Sequence, residues 1–193
     1  MKTITKLTTA ALGVFFIMAF TSLTKPVMLT VTEIKPKPIT IPEVEIELEP
    51  VSIEVLDHSA FLEAIGHQES GNNYEIVNTF GYMGRYQFGQ STLKGLGYDL
   101  SRDEFLQSPY IQEQAMTKLL KHNRKKLSKY IEKYEGKTVH GIFITESGVL
   151  AAAHLAGAGN VRKFFRRGYE FQDGYGTRMT TYMEKFSGYQ LDI

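Results

Sequence analysis

The sequence contains no cysteine. This absence excludes disulfide bonds, thiol catalysis and cysteine-ligated zinc or iron–sulfur sites. The five histidines include no pair at the i, i+4 spacing of a helical metal site. We therefore expect neither a metal ion nor any other cofactor.

Neither sign of charge dominates, because 22 basic and 21 acidic side chains leave a net charge of +1 over 193 residues. The chain is thus not a polycation of the kind that wraps nucleic acid, and we expect no nucleic-acid partner.

Proline is scarce and unevenly placed, since all but Pro109 of the six prolines lie within residues 26–50. The chain therefore contains at least two kinds of segment.

Residues 1–25 have the composition of an export segment. Lys2 and Lys6 precede an uncharged run over residues 7–24 whose centre is strongly apolar. A basic flank before such a run is typical of a secretory signal peptide. The run is also close to the roughly 20 residues that span a bilayer, so an uncleaved membrane anchor is the alternative. No cysteine follows it to carry a lipid. Either interpretation predicts an exported protein of the periplasm or cell envelope.

Residues 26–56 resemble a spacer. β-branched residues alternate with glutamate between prolines, and the prolines remove hydrogen-bond donors that a strand would need. We therefore favour an extended spacer over an edge strand. At about 3 Å per residue, such a segment could hold a domain roughly 90 Å from an anchor.

Residues 57–193 are predicted to form one mainly α domain. A first helix is capped by Asp57 or Ser59 and ends near Gly71, and a second begins at Ser108-Pro109 and runs toward Gly136. A third, apolar nearly all round and therefore central, ends at Gly157. The last helix spans about 178–186. Residues 72–107 are rich in glycine and aromatic residues and are predicted to be mostly loop.

Glu69 is the first candidate for chemistry. It shares the apolar face of its helix with Phe61 and Ile65 and sits in the last turn. Desolvation and the negative end of the helix dipole both favour its protonated carboxyl, the form that a general acid requires. Glu146 stands in a second Glu-Ser-Gly but opens a helix, where the dipole stabilises the anion. We expect it to be an ordinary first-turn acid.

The residues after Glu69 have a recognisable spacing. Gly81, Gly84, Gln87 and Thr92 stand at +12, +15, +18 and +23. This spacing resembles, without a gap, the pattern of soluble lytic transglycosylases and goose-type lysozymes, in which Glu-Ser closes a helix before a Gly-Leu-Met-Gln block. Farther on, residues 152–161 resemble the Ala-Ala-Tyr-Asn-Ala-Gly block of that family and its glycine turn. The resemblance covers roughly residues 60–186.

The resemblance implies a lysozyme-like helical domain with a groove for the glycan strand of peptidoglycan. Glu69 would be the single acid/base, and Ser70 would orient the substrate or the carboxyl. The substrate-binding residues implied are Tyr86, Gln87, Phe88, His154 and Tyr182, and the loop glycines are Gly81, Gly84, Gly157 and Gly159. We expect a monomer whose partner is the glycan strand.

Two departures from the family pattern bear on the groove. Arg85-Tyr86 replaces Leu-Met, which predicts a more polar floor, and His154-Leu155 replaces Tyr-Asn. His154 either takes over the hydrogen-bonding role of the tyrosine or is a satisfied histidine within a packed helix. Both departures are closer to phage-type or secretion-associated members than to the large soluble enzymes.

The reaction depends on whether a second carboxylate faces Glu69. A lysozyme needs one roughly 5–9 Å from the acid, whereas cyclisation of the muramoyl 6-hydroxyl needs none. The candidates are Glu75, Asp99, Asp103 and Asp173, and their spacing favours none of them. We therefore expect a lytic transglycosylase, with a lysozyme or a non-catalytic glycan-binding module as alternatives.

Basic side chains cluster on the long second helix and after the third. Such a cluster is most often a solvated helix face, and attraction to an anionic envelope polymer or a membrane surface is the alternative. The residues concerned are Lys118, Lys121, Arg124, Lys125, Lys126, Lys129, Lys133, Arg162, Lys163, Arg166 and Arg167.

Overall fold

A computed structural model describes residues 56–193, which form six helices and one short antiparallel hairpin. The elements are α1 (His58–Ser70), α2 (Gln90–Gly95), α3 (Arg102–Leu106), α4 (Pro109–Tyr134), β1 (Thr138–Val139), β2 (Ile142–Phe143), α5 (Glu146–Arg167) and α6 (Met179–Lys185). The described part is mainly α, as predicted. None of its helices is long and apolar enough to cross a membrane. The predicted export segment and spacer lie outside the described residues, apart from Leu56.

The predicted helix boundaries are largely confirmed. The Asp57 carboxylate caps α1 by accepting from the Ala60 N–H at 2.8 Å, and Gly71 ends it in the left-handed conformation. Ser108 caps α4, with Pro109 in its first turn. Thr145 caps α5 by accepting from the Gly148 N–H at 3.1 Å. These caps satisfy backbone donors that the first turn of a helix leaves free.

Helix α5 is the centre of the fold, as its apolar composition predicts. Every residue from Ser147 to Ala153 is buried. α5 packs against both α4 and α6, and β2 also contacts α6. The core is completed by apolar residues of α1, of the loop before α2 and of α4.

The third helix is broken at Gly157, where it was predicted to end, but a second helical segment follows directly. Gly157 interrupts the helix with φ 77° and ψ 148°, but helical structure resumes and continues to Arg167. Gly159 therefore lies within the helix rather than in a turn, which also corrects its assignment as a loop glycine. Gly157 introduces a kink because its backbone enters a region that is accessible essentially to glycine alone.

Two short helices and the hairpin were not predicted. The segment 72–107 contains α2 and α3, and α3 begins with a capping box between Ser101 and Glu104. The hairpin turns at His140 and Gly141, whose φ values are 49° and 86°. Two consecutive positive φ values between strands are typical of a type I′ turn.

The two glycines of α5 give a matched test of the kink. We expect Gly157→Ala to lower the free energy of unfolding by about 1–3 kcal/mol, because no neighbouring atom crowds the site and only the backbone conformation opposes a side chain. Gly159→Ala should instead raise it by about 0.5–1 kcal/mol, since alanine favours a helix. Urea denaturation measures both. Equal effects of the two substitutions would contradict the kink.

Candidate active site

The described part contains an open groove of ≈ 1010 Å³. Its walls come from the end of α1, the loop over residues 78–89, the helices α2, α4 and α5, the loop over residues 171–177, and α6. Glu69 and Asp173 are the only carboxylates that line it among the described residues. The groove is thus built by elements that are distant in sequence, and only two carboxylates of the described part line it.

Glu69 lies in the last turn of α1 with a side chain that is 14% exposed. Phe61 and Ile65 of the same helix face are completely buried, as the spacing predicts. The Tyr182 hydroxyl donates a hydrogen bond to Glu69 Oε1 at 2.7 Å. Glu69 Oε2 has no hydrogen-bond partner among residues 56–193. The carboxyl is therefore fixed through one oxygen, and its other oxygen remains available to a ligand.

Tyr182 of α6 contacts Glu69 through its hydroxyl. It was predicted to be a groove residue. The residue is 3% exposed and lines the groove. Burial raises the pKa of the Tyr182 phenol above its ordinary value, and the neighbouring Glu69 carboxylate raises this pKa further. The phenol therefore stays a hydrogen-bond donor over a wide range of pH.

His154 also lines the groove, on the side formed by α5. Its Nε2 lies 3.5 Å from Glu69 Oε1, and its ring packs edge-on against Phe88 with centroids 6.1 Å apart. Its Nδ1 is buried and has no hydrogen-bond partner among the described residues. The ring of His154 is thus not fully satisfied within the described residues, and its Nε2 faces the candidate acid.

Gln87 and Phe88 are brought into the groove as predicted. Gln87 adopts a left-handed backbone with φ 51°, and its side-chain amide donates to the Gly84 carbonyl at 2.9 Å. The loop glycines Gly81 and Gly84 have φ values of 82° and 73°. A Cβ at Gly84 would lie 2.1 Å from Gln112 Oε1, so both conformation and space require glycine there.

Ser70 and Tyr86, which were predicted to contact the substrate, do not line the groove. The Ser70 hydroxyl donates to the Arg85 carbonyl at 2.8 Å and accepts from the Asn73 N–H at 2.9 Å. Tyr86 is completely buried, and its hydroxyl donates to Glu113 Oε2 at 2.7 Å. Both hydroxyls are hydrogen-bonded within the protein itself.

Arg85 does not form a polar groove floor either. Its guanidinium donates to Glu63 Oε2 at 2.6 Å and to Glu113 Oε1 at 2.9 Å, away from the groove lining. The fully buried Gln112 supports the same loop, accepting from the Arg85 N–H at 2.9 Å. Gln112 and Glu113 were not predicted. The signal for Gln112 was a polar residue in register with the apolar face of α4 at Met116 and Leu119.

Exposed aromatic side chains form part of the rim and were also not predicted. Phe80, Tyr82 and Tyr175 line the groove and are 57%, 46% and 62% exposed. Phe80 and Tyr175 pack edge to face with centroids 4.8 Å apart. Their flat apolar faces are suited to contact sugar rings.

Among the four carboxylates considered as a partner for Glu69, Asp173 alone lines the groove. Its Oδ1 accepts from the N–H groups of Tyr175 at 2.9 Å and Thr177 at 2.7 Å. Asp173 therefore has at least a structural role in the turn over residues 173–177. Glu75, Asp99 and Asp103 lie outside the groove lining.

Residues 56–193 contain no group of three His, Asp or Glu side chains that could hold a metal ion.

Comparisons with protein-family models, with curated proteins and with solved structures find no match to the chain. The function is therefore inferred from the geometry of the groove and from the sequence pattern around it.

The two buried phenols make the stability of the fold sensitive to alkali. Burial and then contacts with Glu113 raise the pKa of Tyr86 as well, so both tyrosines keep their protons when those of the unfolded chain ionise near 10.0. The contribution of the two protonated phenols to the free energy of unfolding is fully present below pH 10 and is lost as the pH rises above it. Above pH 10, Tyr182→Phe should reduce this loss by up to about 1.4 kcal/mol per pH unit. Urea denaturation between pH 8 and about 11 measures the slopes, and identical slopes would contradict the assignment.

Proposed function

We propose that the protein is a lytic transglycosylase that cleaves the β-1,4 bond between N-acetylmuramoyl and N-acetylglucosaminyl residues of peptidoglycan. The observation that carries this proposal is the Glu69 carboxyl, held in a large groove by the Tyr182 hydroxyl at 2.7 Å. The ordered spacing of Glu69, Gly81, Gly84 and Gln87 supports the same interpretation. The substrate would be the glycan strand.

Glu69 would act first as an acid and then as a base. Its carboxylic proton passes to the glycosidic oxygen as the bond from that oxygen to C1 of the muramoyl residue breaks. The carboxylate then accepts the proton of the muramoyl 6-hydroxyl, whose oxygen bonds to C1 and closes a 1,6-anhydro ring. No water is consumed, and Glu69 ends in the protonation state in which it began.

The neighbours of Glu69 suit both halves of this cycle. The Tyr182 hydroxyl donates to Oε1 and stabilises the carboxylate that forms when the proton leaves. His154 Nε2, 3.5 Å from the same oxygen, adds a second polar group on the α5 side. Both are positioning residues for Glu69. Gln87 and the rim aromatics Phe80, Tyr82 and Tyr175 would contact the sugar hydroxyls and ring faces.

Replacement of Glu69 tests the catalytic assignment. Glu69→Gln keeps the shape of the side chain but removes the proton, and we expect release of soluble muropeptides from purified sacculi to fall by a factor of about 10²–10⁴. Glu146→Gln is the matched control, because Glu146 pairs with Arg124 at 2.5 Å and lies outside the groove lining. The control should keep activity within about twofold. Undiminished release by Glu69→Gln would rule out the proposed role.

A lysozyme reaction is the second candidate, favoured by the presence of Asp173 in the groove. Asp173→Asn keeps an oxygen that can accept from Tyr175 and Thr177, so the turn is conserved. Under the proposed mechanism this variant should remain active and release anhydro-muramoyl ends, as identified by mass spectrometry. Reducing ends from the wild type, together with loss of activity in Asp173→Asn, would favour the lysozyme instead.

A glycan-binding module without activity is the remaining alternative. A wild-type protein that pellets with sacculi but releases no muropeptides would support it.

The proposed location is the periplasm or cell envelope, where an export segment and spacer would bring the groove to its substrate. Residues 1–55, on which this proposal rests, lie outside the described residues.

A further inference from the structure

Two of the basic residues of the long helices line the groove while remaining exposed to solvent. Lys126 of α4 and Arg162 of α5 line it, whereas Lys121, Lys125, Lys129, Arg166 and Arg167 do not. Lys126 and Arg162 come from separate helices that pack against each other. Their convergence on one cavity distinguishes them from the rest of the basic surface. We call this pair the basic wall.

Neither member of the basic wall is neutralised by the protein. No ion pair or side-chain hydrogen bond involves Lys126 or Arg162 within residues 56–193. By contrast, Arg85, Arg124 and Arg178 are each paired with glutamate. Unpaired cations inside a concave site attract anionic groups of a ligand more strongly than the same charges on a convex surface.

A buried amide beside the basic wall also lacks a partner. Asn123 lies three residues before Lys126 on α4, lines the same groove and is only 4% exposed. Its Nδ2 has no hydrogen-bond partner among the described residues. Buried amide donors are normally paired, so an unpaired one next to two free cations indicates a site whose polar ligand comes from outside the chain.

The basic wall is separated from the candidate acid along the groove. His154, beside Glu69, precedes Arg162 by eight residues, or about two helical turns of α5, with the Gly157 kink between them. The anion that meets the wall is therefore a different part of the ligand from the bond that would lie at Glu69. A glycan strand offers such anions at intervals, because its stem peptides carry free carboxylates.

We propose that Lys126 and Arg162 form a subsite for the stem-peptide carboxylates of peptidoglycan, so that the groove prefers glycan whose stem-peptide carboxylates are free. This inference rests on the proposed function, since it places a glycan strand in the groove. It assigns two of the basic residues to substrate recognition and leaves the others as a solvated face.

The test measures binding in a background that cannot cleave. Full-length Glu69→Gln protein is sedimented with two forms of sacculi, both treated with hydrofluoric acid to remove phosphate polymers. One form keeps its free stem-peptide carboxylates, and in the other they have been converted to neutral amides with a carbodiimide and ammonium, which leaves the cross-linked sacculus intact. Stem-peptide carboxylates are then the anions that distinguish the two ligands.

Two charge-matched double variants are compared in this background. Lys126→Gln/Arg162→Gln removes the basic wall, and Lys121→Gln/Arg166→Gln removes one charge from each of the same helices at exposed positions outside the groove. We expect the first to bind sacculi with free carboxylates about tenfold more weakly than the parent or worse, and amidated sacculi within about twofold of the parent. The second should bind both forms within about twofold of the parent.

Equal losses in the two double variants would overturn the inference, because they would indicate a long-range effect of net charge. An equal loss of the wall variant on both sacculi would also overturn it, because the contacts would then be to sugar or to the fold. Failure of the proposed function has a different signature. The protein with Glu69 intact would release no muropeptides from either form, while the binding comparison could still be made.

Discussion

Helices α5 and α6 approach each other at Gly148 so closely that no side chain fits between them. A Cβ there would lie 2.3 Å from the Met183 carbonyl oxygen, which belongs to the backbone and can move only with α6. Tyr182 precedes Met183, so the same approach helps set where its hydroxyl meets Glu69. His154 projects from α5 as well. The geometry around the candidate acid thus depends on small residues in the central helix.

A polar network around Arg85 fixes the loop over residues 72–88 on the side away from the groove. Arg85, with a side chain only 11% exposed, bonds to Asn72, Tyr74, Glu63 and Glu113. Removing one partner of such a guanidinium leaves a poorly compensated charge, so the loop is strongly fixed. Because Arg85 is anchored away from the groove, the adjacent Gln87 and Phe88 can face it.

Sequence reasoning was most successful where the cause is local. Asp57 and Ser108 cap helices through contacts three residues away, and apolar periodicity located the buried faces. It failed where the cause is distant. Tyr86 resembles a groove residue by spacing, but its hydroxyl is bound by Glu113, 27 residues later. The contact between Tyr182 and Glu69 joins residues 113 positions apart, so periodicity alone could not have predicted it.

The asymmetry of the Glu69 carboxyl bears directly on the proposed chemistry. Oε1 already accepts from Tyr182, whose raised pKa keeps that hydroxyl a donor, and His154 lies on the same side. An oxygen that accepts such a bond is the poorer place for the carboxyl's own proton. The proton of the acid form therefore belongs on Oε2, the oxygen without a partner among the described residues. This arrangement suits the proposed single acid/base. Oε1 holds the orientation of the carboxyl, while Oε2 exchanges a proton with the ligand.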